Sequence, residues 1–263
     1  MINKLYINGC SFTRGDSLKE EYTWPHLLAD KIKPDTYIND STNGNSFGSI
    51  FYTTITNLSR LTNLESVFVV IGITWPPRYP VFFNKTIATI SPADIHDSGT
   101  KTVFEDKYST WRRMTSPYFK VWPTKDKEGD NAADQFHKIQ KAKEDYNKTL
   151  TSYAKFYKNI TRYDPNLKNN QNIALLTKVL ALQSFFIANN ISYRFIDFSG
   201  ATSGSNGDEP TKVLIDRLNK KCILPLTARY LEDKKYIDDS TSHPNAEGCS
   251  FIADRLFKIY NEL

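Results

Sequence analysis

The sequence is poor in the residues that build metal sites and disulfide frameworks. It has three cysteines, Cys10, Cys222 and Cys249, and four histidines among 263 residues. The cysteines form no CxxC pair, and no histidine stands beside them at the spacing of metal ligands. An odd, widely spaced set of cysteines argues against both a disulfide scaffold and a zinc site. We therefore expect no metal, no cofactor and a reducing compartment.

Long apolar runs and blocks of one charge are also missing. The longest apolar run, Val67 to Ile73, is far too short to cross a bilayer. The N-terminal residues show neither the apolar core nor the cleavage site of a secretory signal. The formal charge of +5 is spread along the chain, apart from short pieces such as Lys138 to Lys143. We therefore expect a soluble, cytoplasmic protein with no membrane or nucleic-acid partner.

Apolar runs of strand length alternate with segments of helical periodicity. The sequence predicts strands at Lys4 to Asn8, Tyr37-Ile38, Ser66 to Gly72 and Tyr193 to Phe198, and helices at Trp24 to Ile32, Ile50 to Leu61, Ile173 to Asn189 and Asn245 to Tyr260. The β-branched and aromatic run from Ser66 to Gly72 is typical of a strand buried on both faces. This alternation predicts the α/β class, as a three-layer α/β/α sandwich with a mainly parallel sheet.

The pattern changes between about residues 76 and 170. Proline, tryptophan, tyrosine, lysine and aspartate follow in irregular order, and a long polar helix is predicted from about Ala132 to Tyr163. We interpret this block as a large insertion in a single domain of residues 1–263. Its aromatic and arginine side chains either line an acceptor cleft or pack the insertion against the core. They are Tyr108, Trp111, Arg112, Arg113, Tyr118, Phe119 and Trp122.

The first motif that could perform chemistry follows the first predicted strand. It reads Asn8-Gly9-Cys10-Ser11-Phe12-Thr13-Arg14-Gly15. A serine on a tight strand-to-helix turn exposes its hydroxyl at the carboxyl edge of the sheet, where open α/β folds bind their ligands. Its own backbone N–H can also face an oxyanion. The alternative is that Gly-Cys-Ser is simply a turn.

The second motif precedes the last predicted helix and runs from Asp238 to Asn245. A carboxylate and an imidazole on one loop let the acid hold the ring tautomer while the other ring nitrogen accepts the serine proton. The alternative is that the Asp, Ser and Thr residues cap the final helix and that His243 is a surface residue.

Together with two further loops, these motifs resemble the sequence blocks of the SGNH (GDSL-like) hydrolase family. Gly9 to Gly15 resembles the first block, and Asn39 to Ser46, with its Gly44-Asn45-Ser46, resembles the second. Gly72-Ile73-Thr74 is similar to the third block and His243-Pro244-Asn245 to the last. The blocks occur in the family's order. The resemblance covers about residues 1–80 and 173–263 and leaves the insertion unexplained.

The resemblance implies a flavodoxin-like SGNH fold and a role for each matching residue. Ser11 would be the nucleophile and His243 the general base. The oxyanion hole would be formed by the N–H groups of Ser11 and Gly44 and by the side chain of Thr74. The residues beside these positions that we expect to contact substrate are Asn45, Trp75 and Arg78.

Three positions depart from the family pattern. Cys10 replaces an aspartate, Thr74 replaces an asparagine, and Ser240 stands where the acid is expected, three residues before His243. We expect Asp239 to be the acid, with Asp238 or a dyad without an acid as alternatives.

The sequence also contains a second candidate serine. Gly15-Asp16-Ser17-Leu18 spells the family's other name, but Ser17 lies six residues beyond Ser11. With Glu20 it is more typical of a capping box at a helix start.

The leading prediction is a serine ester hydrolase that works through an acyl-enzyme. It would be an O-deacetylase or acylesterase on a glycan, or on another small-molecule or carbohydrate ester that is polar. The alternative is a non-catalytic binding or structural module with the same fold, which Thr74 and Ser240 favour. A phosphodiester or nucleic-acid enzyme is the least supported, because the chain has neither an acidic metal-binding cluster nor a basic aromatic groove. The sequence Gly9-Cys10-Ser11-Phe12-Thr13 suggests a virus-associated origin, so we expect the protein to be either cytoplasmic or virion-associated.

Overall fold

The structure is a computed structural model. It describes residues 2–15, 18–76, 79–83, 86–90, 167–203, 209–233, 235–240 and 242–263. The chain divides into two compact units, Met1–Arg78 with Lys168–Leu263, and Tyr79–Leu167. The interpretation of the chain as a single domain with an insertion stays a prediction. The helix expected near 132–163 and the aromatic and arginine residues expected to line a cleft lie outside the described residues.

The first unit alternates strands and helices. Its strands are β1 (Lys4–Asn8), β2 (Thr36–Asn39), β3 (Val67–Ile73), β6 (Ser192–Asp197) and β7 (Ile223–Pro225). Its helices are α1 (Ser11–Arg14), α2 (Trp24–Ile32), α3 (Phe47–Leu58), α4 (Leu167–Ala188), α5 (Glu209–Asp216), α6 (Ala228–Asp233) and α7 (Ala246–Tyr260). Short 3-10 turns occupy Glu20–Tyr22, Leu64–Ser66 and Lys220–Cys222. In the second unit, β4 (Tyr79–Phe83) and β5 (Thr86–Ile90) form an antiparallel pair.

The five strands of the first unit form one parallel sheet in the order β2-β1-β3-β6-β7. In this register Asn8 lies beside Ile71, and Ile73 lies beside Asp197. Counted within the sheet, the order is the flavodoxin-like 2-1-3-4-5, whose connections change direction between β1 and β3. This topology confirms the predicted α/β fold, and the carboxyl ends of β1 and β3 are where such folds bind ligands.

Alternate residues of each strand point to opposite faces, and each face has its own core. One core joins Tyr6, Val69 and Phe195 of the sheet to apolar residues of α3, α4 and α5. The other joins Leu5, Val70 and Ile196 to α2, α6 and α7. All seven residues of β3 are buried, as expected for the central strand of a sheet covered on both sides. The predicted three-layer sandwich is therefore confirmed.

One stretch of α4, Asn169–Ala188, is long and apolar enough to cross a membrane by length and composition, with a mean hydropathy of 1.3. Five of its side chains belong to the core of the sheet: Leu175, Leu176, Val179, Leu182 and Phe186. These apolar side chains are already buried in the protein core, so they are not exposed to a membrane. We therefore interpret α4 as a core helix.

Several boundaries differ from the sequence prediction. Helix α3 begins at Phe47 rather than Ile50, because the hydroxyl of Ser46 accepts the N–H of Ser49 at 3.1 Å and caps the helix three residues earlier. Helix α4 begins at Leu167, within the block taken as insertion. The prediction missed α5, α6 and the edge strand β7, which has three residues and ends at Pro225.

Two glycines allow helix α1 to lie directly against the ends of β1 and β3. A Cβ built on Gly9 would meet the Thr13 hydroxyl oxygen at 2.0 Å, and one built on Gly72 would meet the same oxygen at 2.3 Å. Thr13 is fully buried. Because neither glycine has a left-handed φ, the requirement here is space rather than backbone conformation. The Thr13 side chain therefore fills the volume that these glycines leave open.

We predict that Gly72→Ala costs about 2 to 3 kcal/mol of unfolding free energy, because overpacking displaces Thr13. In a Thr13→Ala background the same substitution should cost less, since the nearest neighbour is then removed and only the Phe198 ring, at 3.3 Å, stays close. Urea denaturation of the two single variants and the double variant measures this coupling. An equal cost of Gly72→Ala in both backgrounds would contradict the packing described.

Candidate active site

Ser11 is the first residue of α1, three residues beyond the end of β1. The turn is held by its own backbone, because the N–H groups of Thr13 and Arg14 both donate to the Cys10 carbonyl at 2.9 Å. The N–H of Gly15, which has a left-handed φ of 78°, donates to the Ser11 carbonyl at 2.9 Å. The Cys10 side chain is buried in the core. Ser11 itself is 6% exposed.

The structure brings Ser11 and His243 together across 232 residues of sequence. The Nε2 atom of His243 lies 2.8 Å from the Ser11 Oγ. This is within the range over which a general base can take a hydroxyl proton. The imidazole is half-buried. The turn at the carboxyl end of β1 and the segment before α7 therefore form one site.

His243 lies on a short hairpin that leads into α7. Ile237 and Pro244 form an antiparallel bridge, and the N–H of Asn245 donates to the Tyr236 carbonyl at 2.9 Å. In the same register the N–H of Asp238 donates to the His243 carbonyl at 2.8 Å. Directly opposed residues of an antiparallel pair have their side chains on the same face. The register therefore places Asp238 and His243 on one face of the hairpin.

The two aspartates before His243 differ in their surroundings. Asp238 is half-buried, and its Oδ1 accepts hydrogen bonds from the backbone N–H of Ser240, at 2.8 Å, and from the Ser240 hydroxyl, at 2.5 Å. Asp239 is exposed, and its carboxylate forms no hydrogen bond or ion pair with any residue that the structure describes. The geometry thus favours Asp238 over Asp239 as the residue that faces the imidazole.

The Phe12 ring supports the imidazole. Its centroid lies 4.7 Å from that of His243, 4.8 Å from that of Trp75 and 5.3 Å from that of Phe198. Phe12 is almost fully buried, and its carbonyl accepts the indole N–H of Trp24 at 3.1 Å. Sequence reasoning did not identify Phe12. Its place directly after the nucleophile was the only available signal.

The loop after β2 approaches the nucleophile turn. The N–H of Thr42 donates to the Gly9 carbonyl at 3.1 Å, and the side-chain amide of Asn45 approaches the same carbonyl at 3.4 Å. Gly44 has a left-handed φ of 70°. The loop after β2 therefore lies beside the nucleophile turn. The role of the Gly44 N–H stays a prediction.

Thr74 directly follows β3 and is fully buried. Because Asn8 is in register with Ile71, the ends of β1 and β3 that lead to Ser11 and Thr74 are neighbours. Trp75 is half-buried and touches Phe12. The contribution of the Thr74 hydroxyl to an oxyanion hole stays a prediction. Arg78 and Ser17 lie outside the described residues.

A buried carboxylate that the sequence analysis overlooked lies at the same sheet edge. Asp197 is 1% exposed and ends β6. Its two oxygens accept five hydrogen bonds from Ser199, Gly200 and Thr202, at 2.6 to 3.0 Å. Every donor comes from the loop that follows the strand. Asp197 therefore shapes that loop and is not available to orient His243.

Asn8 anchors the other side of the nucleophile turn. Its Oδ1 accepts the N–H of Gly9 at 2.8 Å, and its amide nitrogen donates to the hydroxyl of Thr53, at 2.8 Å, in α3. Nearby, burial and the charge of Asp40 raise the pKa of the Tyr6 phenol well above its usual range, so that Tyr6 stays neutral. This buried polar network ties the end of β1 to α3.

The described residues contain no group of three or more His, Cys, Asp or Glu side chains arranged to hold a metal ion. The three cysteines are free. Burial raises the pKa of the Cys249 thiol to about 11, so this thiol stays protonated at neutral pH.

Solved structures with a similar fold are esterases and lipolytic proteins. A psychrotrophic esterase from Pseudoalteromonas sp. is 12% identical, with a TM-score of 0.46 over 99% of this chain and 97% of that one. A member of the lipolytic G-D-S-L family from Veillonella parvula is 10% identical, with a TM-score of 0.44 over 99% of each chain. The observed strand order of this chain is, by itself, that of a flavodoxin-like α/β fold.

An acetyl xylan esterase is 12% identical, with a TM-score of 0.42 over 97% of this chain and 98% of that one. No family model matches the sequence, and no curated protein matches it. Identities of 10 to 12% leave the activity of this chain to be judged from its own residues.

We predict that Phe12→Leu lowers the rate at which Ser11 reacts with a fluorophosphonate probe by about tenfold, because a misplaced base weakens proton transfer. Phe198→Leu is the matched control: its ring packs on Phe12, and its ring contact is with Phe12 rather than with His243. Thermal unfolding of both variants reports their folding. Equal labelling rates of the two variants would show that Phe12 is only a core residue.

Proposed function

We propose that this chain is a serine ester hydrolase in which Ser11 is the nucleophile and His243 the general base. The observation that supports the proposal most directly is the 2.8 Å distance between Ser11 Oγ and His243 Nε2. A hydroxyl within hydrogen-bond reach of an imidazole, itself oriented by a third group, is the signature of an activated nucleophile. Its position at the change of direction between β1 and β3 agrees with where open α/β folds bind substrates.

In the proposed reaction, His243 takes the Ser11 proton as Oγ attacks the acyl carbon. The tetrahedral intermediate then breaks its bond to the alcohol oxygen, and the imidazolium gives the proton to the departing alcohol. Water, deprotonated by His243, next attacks the acyl-enzyme. The bond between the acyl carbon and Oγ then breaks, the imidazolium returns its proton to Oγ, and the acid is released from free Ser11. Every proton passes through Nε2, so no cofactor is needed.

The oxyanion would be stabilised by three donors. The N–H of Ser11 lies at the start of α1, where helix geometry leaves it without a partner inside the helix. The other two are the Gly44 N–H and the Thr74 hydroxyl. Such donors are worth about 3 kcal/mol each to the transition state in acyl transfer. The hydroxyl of Thr74 donates one hydrogen bond with a shorter reach than an amide, so we expect it to be the weakest of the three.

Asp238 rather than Asp239 is the acid in this proposal. The support for this assignment is that Asp238 and His243 are opposed in the hairpin, whereas Asp239 is exposed at the turn. The proposed contact runs from Nδ1–H of His243 to the Asp238 carboxylate, which would fix the tautomer and stabilise the imidazolium. Ser240, at the family's usual acid position, donates to Asp238 instead.

For the substrate we propose an O-acylated polar alcohol such as an acetylated sugar. The half-buried Trp75 offers an aromatic face on which a sugar ring can stack, and the loop from Thr42 to Asn45 lies beside the nucleophile turn. The alternative, a non-catalytic binding module, would use the same surfaces without turnover. Probe labelling of the wild-type chain separates the two.

We predict that Ser11→Ala and His243→Ala each lower p-nitrophenyl acetate hydrolysis at least about a thousandfold, since members of such a site act as a unit. A fluorophosphonate probe should label the wild type and not Ser11→Ala. Ser17→Ala is the control and should keep both activities. Labelling of Ser11→Ala but not of Ser17→Ala would show that Ser17, and not Ser11, is the nucleophile. A folded wild type that is neither labelled nor active would indicate a binding module.

We predict that Asp238→Asn lowers kcat at least about a hundredfold, because an amide no longer holds the catalytic tautomer. Its carbonyl can still accept from Ser240, so the turn should persist. Asp239→Asn is the matched control, with the same charge change one residue away, and should stay within about twofold of wild type. Small, equal effects of the two substitutions on kcat would mean that Ser11 and His243 work as a dyad without an acid. A larger effect of Asp239→Asn would identify Asp239 as the acid.

A further inference from the structure

Arg14 is the last residue of α1, three positions after Ser11. Residues three apart on a helix are neighbours on its surface, so the Arg14 side chain leaves the helix beside the nucleophile. Arg14 is exposed, and its Nη1 donates to the carbonyl of Ser41 at 3.3 Å. Ser41 begins the loop whose Thr42 and Asn45 bond to Gly9. The guanidinium therefore lies where the proposed oxyanion loop meets the nucleophile turn.

Most of the hydrogen-bonding capacity of Arg14 is unused within the described part of the chain. A guanidinium has five N–H donors, and Ser41 is its single acceptor among the described residues. No carboxylate that the structure describes forms an ion pair with it. A fixed cation with a planar fork of spare donors is suited to bind a carboxylate through two parallel hydrogen bonds.

The nearby carboxylates are already engaged by other donors. Asp197 accepts five hydrogen bonds from its own loop, Asp238 accepts two from Ser240, and Asp40 accepts the side-chain amide of Asn57 at 2.6 Å. The imidazole packs against the Phe12 ring, which in turn contacts Trp75. No carboxylate that the structure describes therefore neutralises Arg14, which lies three residues after Ser11 in α1.

We infer that Arg14 binds a carboxylate on the alcohol part of the substrate, so that the preferred ester is anionic. This inference rests on the proposed hydrolase function. The alcohol oxygen would lie within reach of His243 Nε2, which protonates it, and a carboxylate carried further along the alcohol part would reach the guanidinium beside the nucleophile turn. The carboxylate would be held near the scissile ester, which positions the ester as well as selecting it.

The test compares 4-acetoxybenzoate with methyl 4-acetoxybenzoate, which share acyl group and ring and differ in charge. Because the two phenols differ as leaving groups, the quantity to compare between variants is the ratio of kcat/KM for the anionic ester to that for the neutral one. We expect Arg14→Gln to lower this ratio about tenfold and Arg14→Lys to lower it less, since lysine keeps the charge without the planar fork. Added salt should lower the wild-type ratio.

Arg217→Gln is the matched control. It removes the same charge from an exposed arginine on the turn between α5 and β7, at the amino edge of the sheet, and should leave the ratio unchanged. A ratio equal in wild type and Arg14→Gln would overturn the inference. So would an equal fall of activity toward both esters in Arg14→Gln, which would make Arg14 only a support for the Ser41 loop.

Failure of the proposed function is distinguishable from failure of this inference. If folded wild type hydrolyses neither ester, calorimetric titration with 4-hydroxybenzoate tests Arg14 without turnover. Binding by wild type that is lost in Arg14→Gln and kept in Arg217→Gln would support the anion site. Equal binding by all three, or binding by none, would overturn it.

Discussion

The site depends on the absence of side chains at Gly9 and Gly72. Because these positions have no Cβ, the Thr13 side chain occupies the space between the ends of β1 and β3, and α1 lies directly on the sheet. The same contact sets the height of Ser11 above the sheet edge. A methyl group at either glycine would have to displace Thr13 and, with it, the whole single turn of helix. A packing constraint in the core thus fixes the position of a hydroxyl at the surface.

The partner of that hydroxyl is fixed by a different set of contacts. Asn245 caps α7, its Oδ1 accepting the Gly248 N–H at 2.8 Å, and its amide nitrogen donates to the Lys235 carbonyl at 3.2 Å. A Cβ built on Gly248 would lie 2.3 Å from the Tyr236 carbonyl oxygen. The absence of a side chain at Gly248 therefore lets the hairpin pack closely against the helix. His243 is therefore positioned by the start of a long core helix and by the Phe12 ring.

Sequence patterns predicted the elements that interact mainly with the core. The bounds of β1 and α2 agree residue for residue, and β3 differs by one position at each end, because continuous apolar runs and helical periodicity describe burial directly. The edge strand β7 has too few residues to show a period, and the start of α3 was set by the Ser46 cap rather than by apolar spacing.

Some residues of the candidate site could be predicted from the sequence and others could not. Ser11 and His243 could be proposed from local motifs, because each stands at the junction of a strand or loop with a helix. Phe12 could not, because its role comes from rings brought to it by distant segments. Asp197 was overlooked because nothing in its local sequence shows that its carboxylate accepts hydrogen bonds from the following loop.

The proposed acid illustrates why distance along the chain is a poor guide to geometry. Counting back from His243 favoured Asp239, the nearer residue, over Asp238. In a hairpin, however, the residue that faces another is decided by register, and the positions paired here are Asp238 and His243, since Ile237 pairs with Pro244. The residues of the turn lie between Asp238 and His243. There Ser242 adopts a left-handed φ of 56°, and its N–H donates to the Asp238 carbonyl. The register of the hairpin, rather than the number of residues counted back from His243, therefore decides which of the two aspartates lies opposite it.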